Sequence, residues 1–179
     1  MNTINLPNII TFVRIITIPV FVTCLVYKQY NYALYVFILA GLSDVLDGLI
    51  ARLTGQKTYL GAFLDPLADK FMLITSFILF SIYKWVPKWL TIVVISRDII
   101  VILGWFLLYI AYNKTRISPS IIGKAANASQ FILIAYILFL INIPSLQPPS
   151  EWLLWLVALL TISSGLQYIY QGLRLANAD

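Results

Sequence analysis

Six apolar stretches, at about 9–27, 32–51, 62–83, 89–112, 121–141 and 151–170, fill most of this 179-residue chain and are joined by short polar links. Roughly twenty apolar residues in a helix match the hydrocarbon thickness of a bilayer, and within it each backbone donor and acceptor must be satisfied inside its own segment. The expected fold is therefore all-α: an integral membrane protein of six transmembrane helices, read as one domain over 1–179. With 61% hydrophobic and 11% charged residues the chain is too apolar for a soluble domain.

Charge inside such a frame is costly and asks for a reason. Four of the seven acidic residues, Asp44, Asp47, Asp65 and Asp69, fall in one window between the second and third stretches. Asp44, Asp47, Gly48 and Ala51 repeat at i, i+3, i+4 and i+7, and Gly61, Asp65 and Asp69 follow at intervals of four, so each arm is one-sided on a helix. Leu53 to Leu60, with Thr54, Gly55, Gln56 and Lys57, reads as a tight connection between antiparallel helices. Counted from that turn, Asp47 and Asp65 share one depth, and Asp44 and Asp69 lie about a turn deeper, ~5 Å.

Four converging carboxylates cannot all stay ionised without a counter-charge. Oxygen ligands without histidine or cysteine suit hard divalent cations, Mg²⁺ or Mn²⁺ over Zn²⁺, and four carboxylates are enough for a two-metal site of the kind that serves phosphoryl transfer. Gly48 and Gly61 leave bare helix surface where a base or pyrophosphate could approach, and Arg52 adds a cation at the mouth.

The pattern Asp44-x2-Asp47-Gly48-x2-Ala51-Arg52-x8-Gly61-x3-Asp65-x3-Asp69 resembles the complete signature of the CDP-alcohol phosphotransferases. Pro7-Asn8, Arg14, Pro19, the run Leu64 to Lys70, Arg97-Asp98 and Gly123-Lys124 look like family features as well, so the resemblance covers nearly the whole chain. It implies transfer of a substituted phosphate from a CDP-alcohol to a hydroxyl, with release of CMP and with divalent metal. It also implies that Asp44, Asp47 and Asp65 are metal ligands, that Asp69 is both a ligand and the general base, and that Asp47, Gly48, Ala51, Arg52 and Gly61 shape the nucleotide site. A homodimer is expected on the same ground.

The acceptor is less constrained. Similarity over the first two thirds is to bacterial members that join CDP-diacylglycerol to glycerol 3-phosphate, giving phosphatidylglycerol phosphate. Those members tend to carry a second arginine about two turns after the Arg97 position, where residues 99–106 here are apolar. Ser96-Arg97-Asp98, Pro119-Ser120, Gly123-Lys124 with Gln130, and Thr161 with Ser164-Gly165 and Tyr168 look instead like family members that use phosphatidylglycerol and make cardiolipin. Glycerol 3-phosphate is the first expectation and phosphatidylglycerol the second.

The remaining polar residues carry two readings each. Arg14 either snorkels to lipid phosphates or lines the cavity. Lys70 either pairs with a carboxylate or joins the site. Arg97 and Asp98, adjacent in a span, are either a structural pair or, since their side chains leave a helix about 100° apart and are expected not to face each other well, leave Arg97 as a candidate phosphate holder. Lys124, Asn127 and Gln130 are either interhelical glue or, at Lys124, part of the acceptor pocket. Lys114 and Arg116 form a basic loop over Asn113 to Ser120. Pro66 is expected in the first turn of the third helix, and Trp85-Val86-Pro87-Lys88-Trp89 as an interfacial anchor.

Cys24, the one cysteine, excludes an internal disulfide framework. Met1 to Asn8 lacks a basic region and a cleavage site, so a removable signal peptide is not expected; the segment reads as interfacial. Six spans put both termini on one side, together with Arg52, Lys57, Lys114, Arg116, Lys124 and Arg174, against Lys28, Lys84 and Lys88 on the other. The positive-inside rule then makes both termini cytoplasmic and turns the polar cavity to the cytoplasm, with the bacterial inner membrane as the expected location. A net charge of +5 suits anionic headgroups and needs no nucleic acid. A small proton-coupled transporter is the alternative from another class, and it would spread carboxylates along a path instead of clustering them.

Overall fold

The computed structural model describes residues 6–54, 59–112, 120–143 and 148–176, with side chains over 13, 15–43, 70–104, 120–143 and 148–174. Six helices follow one another: α1 Leu6–Val26, α2 Tyr30–Thr54, α3 Tyr59–Ile82, α4 Lys88–Tyr112, α5 Ile121–Asn142 and α6 Glu151–Ala176. Each expected apolar stretch lies on a helix to within a residue, but the helices run past them. α1 starts at Leu6, so Asn8 and Pro7 belong to its first turn, where a missing N–H costs little. α3 starts at Tyr59, which puts Pro66 inside the helix and not in its opening turn. α6 continues to Ala176 and takes in Gln171, Gly172 and Arg174.

Two compact units share the chain, one of residues 1–79 with 135–146 and one of 80–134 with 147–179. In the first, α1 packs on α2, with Phe21 against Phe37 at 5.9 Å between ring centroids and Leu25, Ala33 and Leu34 buried beside them. The Asn142 side chain donates to the Tyr30 carbonyl at 3.1 Å and ties the end of α5 to the start of α2. In the second, α4 packs on α6, with Leu90, Val94, Val157 and Ala158 in the core.

Two helices end in the same way. Lys28 takes φ 60° and Lys84 φ 63°. Around them Gln29 N–H donates to Cys24 O at 2.8 Å and Lys28 N–H to Leu25 O, while Trp85 N–H donates to Phe80 O at 2.8 Å and Lys84 N–H to Ser81 O. Both are Schellman closures, which satisfy carbonyls that a helix end leaves unpaired, here with lysine in the left-handed position usually given to glycine.

The outward faces are apolar. On α6, Trp152, Trp155, Leu159, Leu166 and Leu173 recur at three- to four-residue and seven-residue spacings along one exposed side, with Leu159 and Leu166 each 62% exposed, while Thr161 and Ser164 on the opposite side are fully buried. This inverts the pattern of a water-soluble helix, which exposes its polar side. Among the described residues, two helices, Ile121–Asn142 and Glu151–Arg174, are long and apolar enough to cross a membrane. Cys24 is free and half-buried.

Candidate functional site

The two arms of the acidic pattern sit on consecutive helices, one before the end of α2 and one after the start of α3. Asp44, Asp47, Gly48, Ala51 and Arg52 occupy the second half of α2, and Gly61, Asp65 and Asp69 the first half of α3. Asp47 lies seven residues before Thr54 and Asp65 six residues after Tyr59, ~10 and ~9 Å along the respective helices. Asp44 and Asp69 each lie ten residues from those same ends, ~15 Å. The four aspartates thus fall at two matched distances along their own helices from the link between α2 and α3. Their side chains, and those of Arg14, Gly48, Ala51, Arg52 and Gly61, lie outside the described residues, as do Lys114 and Arg116 entirely. The donor set itself, carboxylate oxygen throughout, fits a hard divalent cation.

The second unit holds a buried polar layer in which every side chain is described. Arg97, 5% exposed, donates from Nη1 to Asp98 Oδ1 at 2.8 Å and to Asn127 Oδ1 at 3.2 Å, and from Nη2 to Ser164 Oγ at 2.6 Å. Tyr168 lies over the guanidinium with its ring centroid 5.5 Å away. Gly165 lets the arginine stem pass: a Cβ there would stand 3.3 Å from Arg97 Cγ. Toward the start of α6, the Gln130 amide donates to Thr161 Oγ1 at 3.0 Å, and that hydroxyl donates to Val157 O at 2.7 Å. At the other end of the layer Ser120 Oγ accepts from Gly123 N–H at 3.0 Å, and a Cβ on Gly123 would meet both Ser120 Oγ and the Tyr168 ring at 3.1 Å.

Helix direction explains the order. Pairs across α5 and α6, Gly123 with Tyr168 and Gln130 with Thr161, run in opposite senses along the chain, so these helices are antiparallel. Across α4 and α6 the Trp89–Trp155 stack, 4.8 Å between centroids, and the Arg97–Ser164 bond keep nearly the same offset, so these two are parallel. Alternate helices of one up-and-down chain must run this way.

One expectation fails here. Arg97 and Asp98 do pair, both buried. Their Cβ atoms diverge, but the arginine stem is long enough to bring Nη1 back across the helix surface. A lone salt bridge this deep stabilises little once desolvation is counted, and the surrounding hydrogen bonds are what make it tolerable. Three of the five guanidinium donors are thereby engaged, and Nε has no hydrogen-bond partner. Arg97 is thus a crosslink between α4, α5 and α6.

Lys124 is exposed, whereas Gln130 is fully buried and Asn127 half-buried. At intervals of three the side chains drift by about 60° per step, so the row turns from the outside at Lys124 to the interior at Gln130. Lys70 is half-buried and has a polar or ionic partner. The engagement of Asp98, the Gly165 approach and the Tyr168 stack are the features that spacing within single helices did not point to; the signal available was that Ser164, Gly165 and Tyr168 fall at i, i+1 and i+4, on one side of α6.

A family model described as CDP-alcohol phosphatidyltransferase matches residues 4–163. A cardiolipin synthase (CMP-forming) from Rattus norvegicus is 36% identical over 152 residues, covering 75% of this chain and 50% of its own. The chain thus spans about half the length of the cardiolipin synthases it matches. A probable phosphatidylglycerophosphate synthase from Mycobacterium tuberculosis (strain CDC 1551 / Oshkosh) is 31% identical over 177 residues, covering 95% of this chain and 82% of its own. A CDP-diacylglycerol--glycerol-3-phosphate 3-phosphatidyltransferase from Pseudomonas fluorescens is 34% identical over 171 residues, with 90% and 84% covered.

Proposed function

The chain belongs to the CDP-alcohol phosphatidyltransferase family, and from that premise we propose that it transfers the phosphatidyl group of CDP-diacylglycerol to glycerol 3-phosphate, giving phosphatidylglycerol phosphate and CMP. The observation that carries the reading is the complete acidic signature on two consecutive helices, its aspartates at two matched distances from the link that joins them. Relatives named for this transfer align with 90% or more of the chain.

Asp44, Asp47, Asp65 and Asp69 are the residues that would hold divalent metal, Mg²⁺ or Mn²⁺ at two positions. When bound, such cations neutralise charge on the diphosphate and on the departing phosphate. Asp69 accepts the proton of the acceptor hydroxyl as its oxygen bonds to the phosphatidyl phosphorus, and the bond from that phosphorus to the CMP oxygen breaks. Gly48, Ala51 and Gly61 keep the helix surfaces low where the nucleotide lies, and Arg52 supplies a cation beside its phosphates. Arg14, Lys114, Arg116 and Lys124 are assigned to acceptor or lipid phosphate. Arg97 fixes the α4–α5–α6 layer, within which its Nε is buried.

The apolar outward face of α6 supports a membrane location, as do the two helices long enough to cross one. The proposed arrangement is six spans in the bacterial inner membrane, both termini and the site cytoplasmic, in a homodimer. A transporter has no support once the family is shown.

One observation favours phosphatidylglycerol as acceptor instead, with cardiolipin as product. Of the residues by which the sequence resembles that class, Arg97, Asp98, Ser120, Gly123, Gln130, Thr161, Ser164, Gly165 and Tyr168 are in mutual contact or in the same layer, whereas Lys124 is exposed. Purified protein in detergent with CDP-diacylglycerol and Mg²⁺ or Mn²⁺ decides between them. CMP release that requires glycerol 3-phosphate supports the first reading and overturns the second; release that requires phosphatidylglycerol does the reverse.

A further inference from the structure

At the end of the second unit where α4 and α6 begin, an open cleft of about 410 Å³ is lined by the 81–88 segment, with Lys84, Trp85 and Lys88, and by Pro148, Pro149 and Leu154. We propose that this cleft binds an anionic phospholipid, with Lys84 and Lys88 receiving its phosphate and the Trp85 and Leu154 side receiving the start of an acyl chain.

The walls are built. Lys84 is fixed in the left-handed position of the Schellman closure of α3, and Trp85 N–H and Val86 N–H both bond Phe80 O, at 2.8 and 3.2 Å. The Trp85 ring is held edge-on by Phe80 at 5.3 Å and tilted by Tyr83 at 4.9 Å. Val86 and Leu154 form a buried floor, and three prolines stiffen the rims.

The occupant follows from what the lining offers. Lys84 and Lys88 are exposed, and neither has an ion pair among the described residues. The rest of the lining is largely apolar. Cations above an apolar trough match a ligand whose anion and hydrocarbon are joined; a free phosphate would leave the trough empty. Four of the five tryptophans, Trp85, Trp89, Trp152 and Trp155, stand at this same end, the arrangement that marks the headgroup level of a bilayer. Glu151 is the nearby opposite charge, and as the first residue of α6 it faces the positive end of that helix's dipole. The proposal rests on the membrane reading but not on the choice of acceptor.

Tryptophan quenching by lipids brominated on the acyl chain tests it, with the full chain in mixed micelles of fixed total lipid and detergent in which the mole fraction of the brominated lipid is varied. Brominated phosphatidylserine is the probe because it is neither the donor nor either acceptor, and brominated phosphatidylcholine is the neutral reference. Quenching by phosphatidylserine is expected to saturate at a lower mole fraction than quenching by phosphatidylcholine. That selectivity should fall by about fivefold for each of Lys84→Gln and Lys88→Gln. Lys28→Gln, at the matching helix end, should leave it unchanged. Equal quenching by the two lipids, or an equal loss in Lys28→Gln, would overturn the site while leaving the membrane reading intact. Displacement of phosphatidylserine by inorganic phosphate at equal concentration would make the cleft a site for free anions and would also overturn it. No quenching by either lipid would remove the membrane reading and the proposal together.

Discussion

Arg97 shows how a charged side chain is accommodated in an apolar helix bundle. Its guanidinium reaches a carboxylate, an amide and a hydroxyl on three helices. Ser164→Ala removes the acceptor of the shortest of these bonds, and since the donor is charged and buried the loss should be about 1.5–3 kcal/mol, read as a lower thermal midpoint in detergent. An unchanged midpoint would mean that the guanidinium is not held there. The two tight glycines should separate. At Gly123 an added methyl is caught between Ser120 and the Tyr168 ring, whereas at Gly165 it meets only the flexible stem of Arg97. Gly123→Ala should therefore destabilise by about 1–3 kcal/mol, and Gly165→Ala by less. The arginine itself was legible in the sequence as a charge needing a reason. Its pairing with Asp98 was set aside on the sequence, because helical spacing gives the direction of Cβ and says nothing of how far a long side chain returns.

Between helices, the contacts repeat with a constant offset, and that regularity makes the layers separable. The Trp89–Trp155 stack and the Arg97–Ser164 bond lie about nine residues apart on α6, ~13 Å along the axis. Groups at that separation without shared partners act independently, so the stability losses of Trp155→Leu and Ser164→Ala should add to within about 0.5 kcal/mol in the double variant. A larger coupling would show that α4 and α6 move as one block. All six helices could be read from the apolar runs, because a long uninterrupted run has few other ways to satisfy its backbone. Their ends were read less well. α1, α2 and α6 extend into polar sequence, where hydropathy loses its signal although helix formation continues. Which residues meet across α4, α5 and α6 depends on interhelical register, and single-helix periodicity carries none.

For the chain as a whole, the acidic signature was legible as a spacing pattern, and the helix bounds place it on α2 and α3, while its side chains lie outside the described residues. The acceptor was less legible, because the sequence resembles two classes of the family that differ in it. Orientation is a further expected outcome of the basic-residue count. In a Cys24→Ser background, Lys84→Cys should react with an impermeant thiol reagent outside intact cells, and Lys57→Cys only after permeabilisation; the reverse pattern would invert the topology. The central claim is that the α2–α3 carboxylates perform the phosphatidyl transfer. It is tested most directly by CMP release from CDP-diacylglycerol, with both acceptors supplied, by wild-type protein and Asp69→Asn side by side. Loss of a general base alone removes about 10²–10⁴-fold in rate, and loss of a metal ligand adds to it, so turnover by Asp69→Asn should fall at least that far and wild-type turnover should stop on chelation. Full turnover by Asp69→Asn would contradict the account.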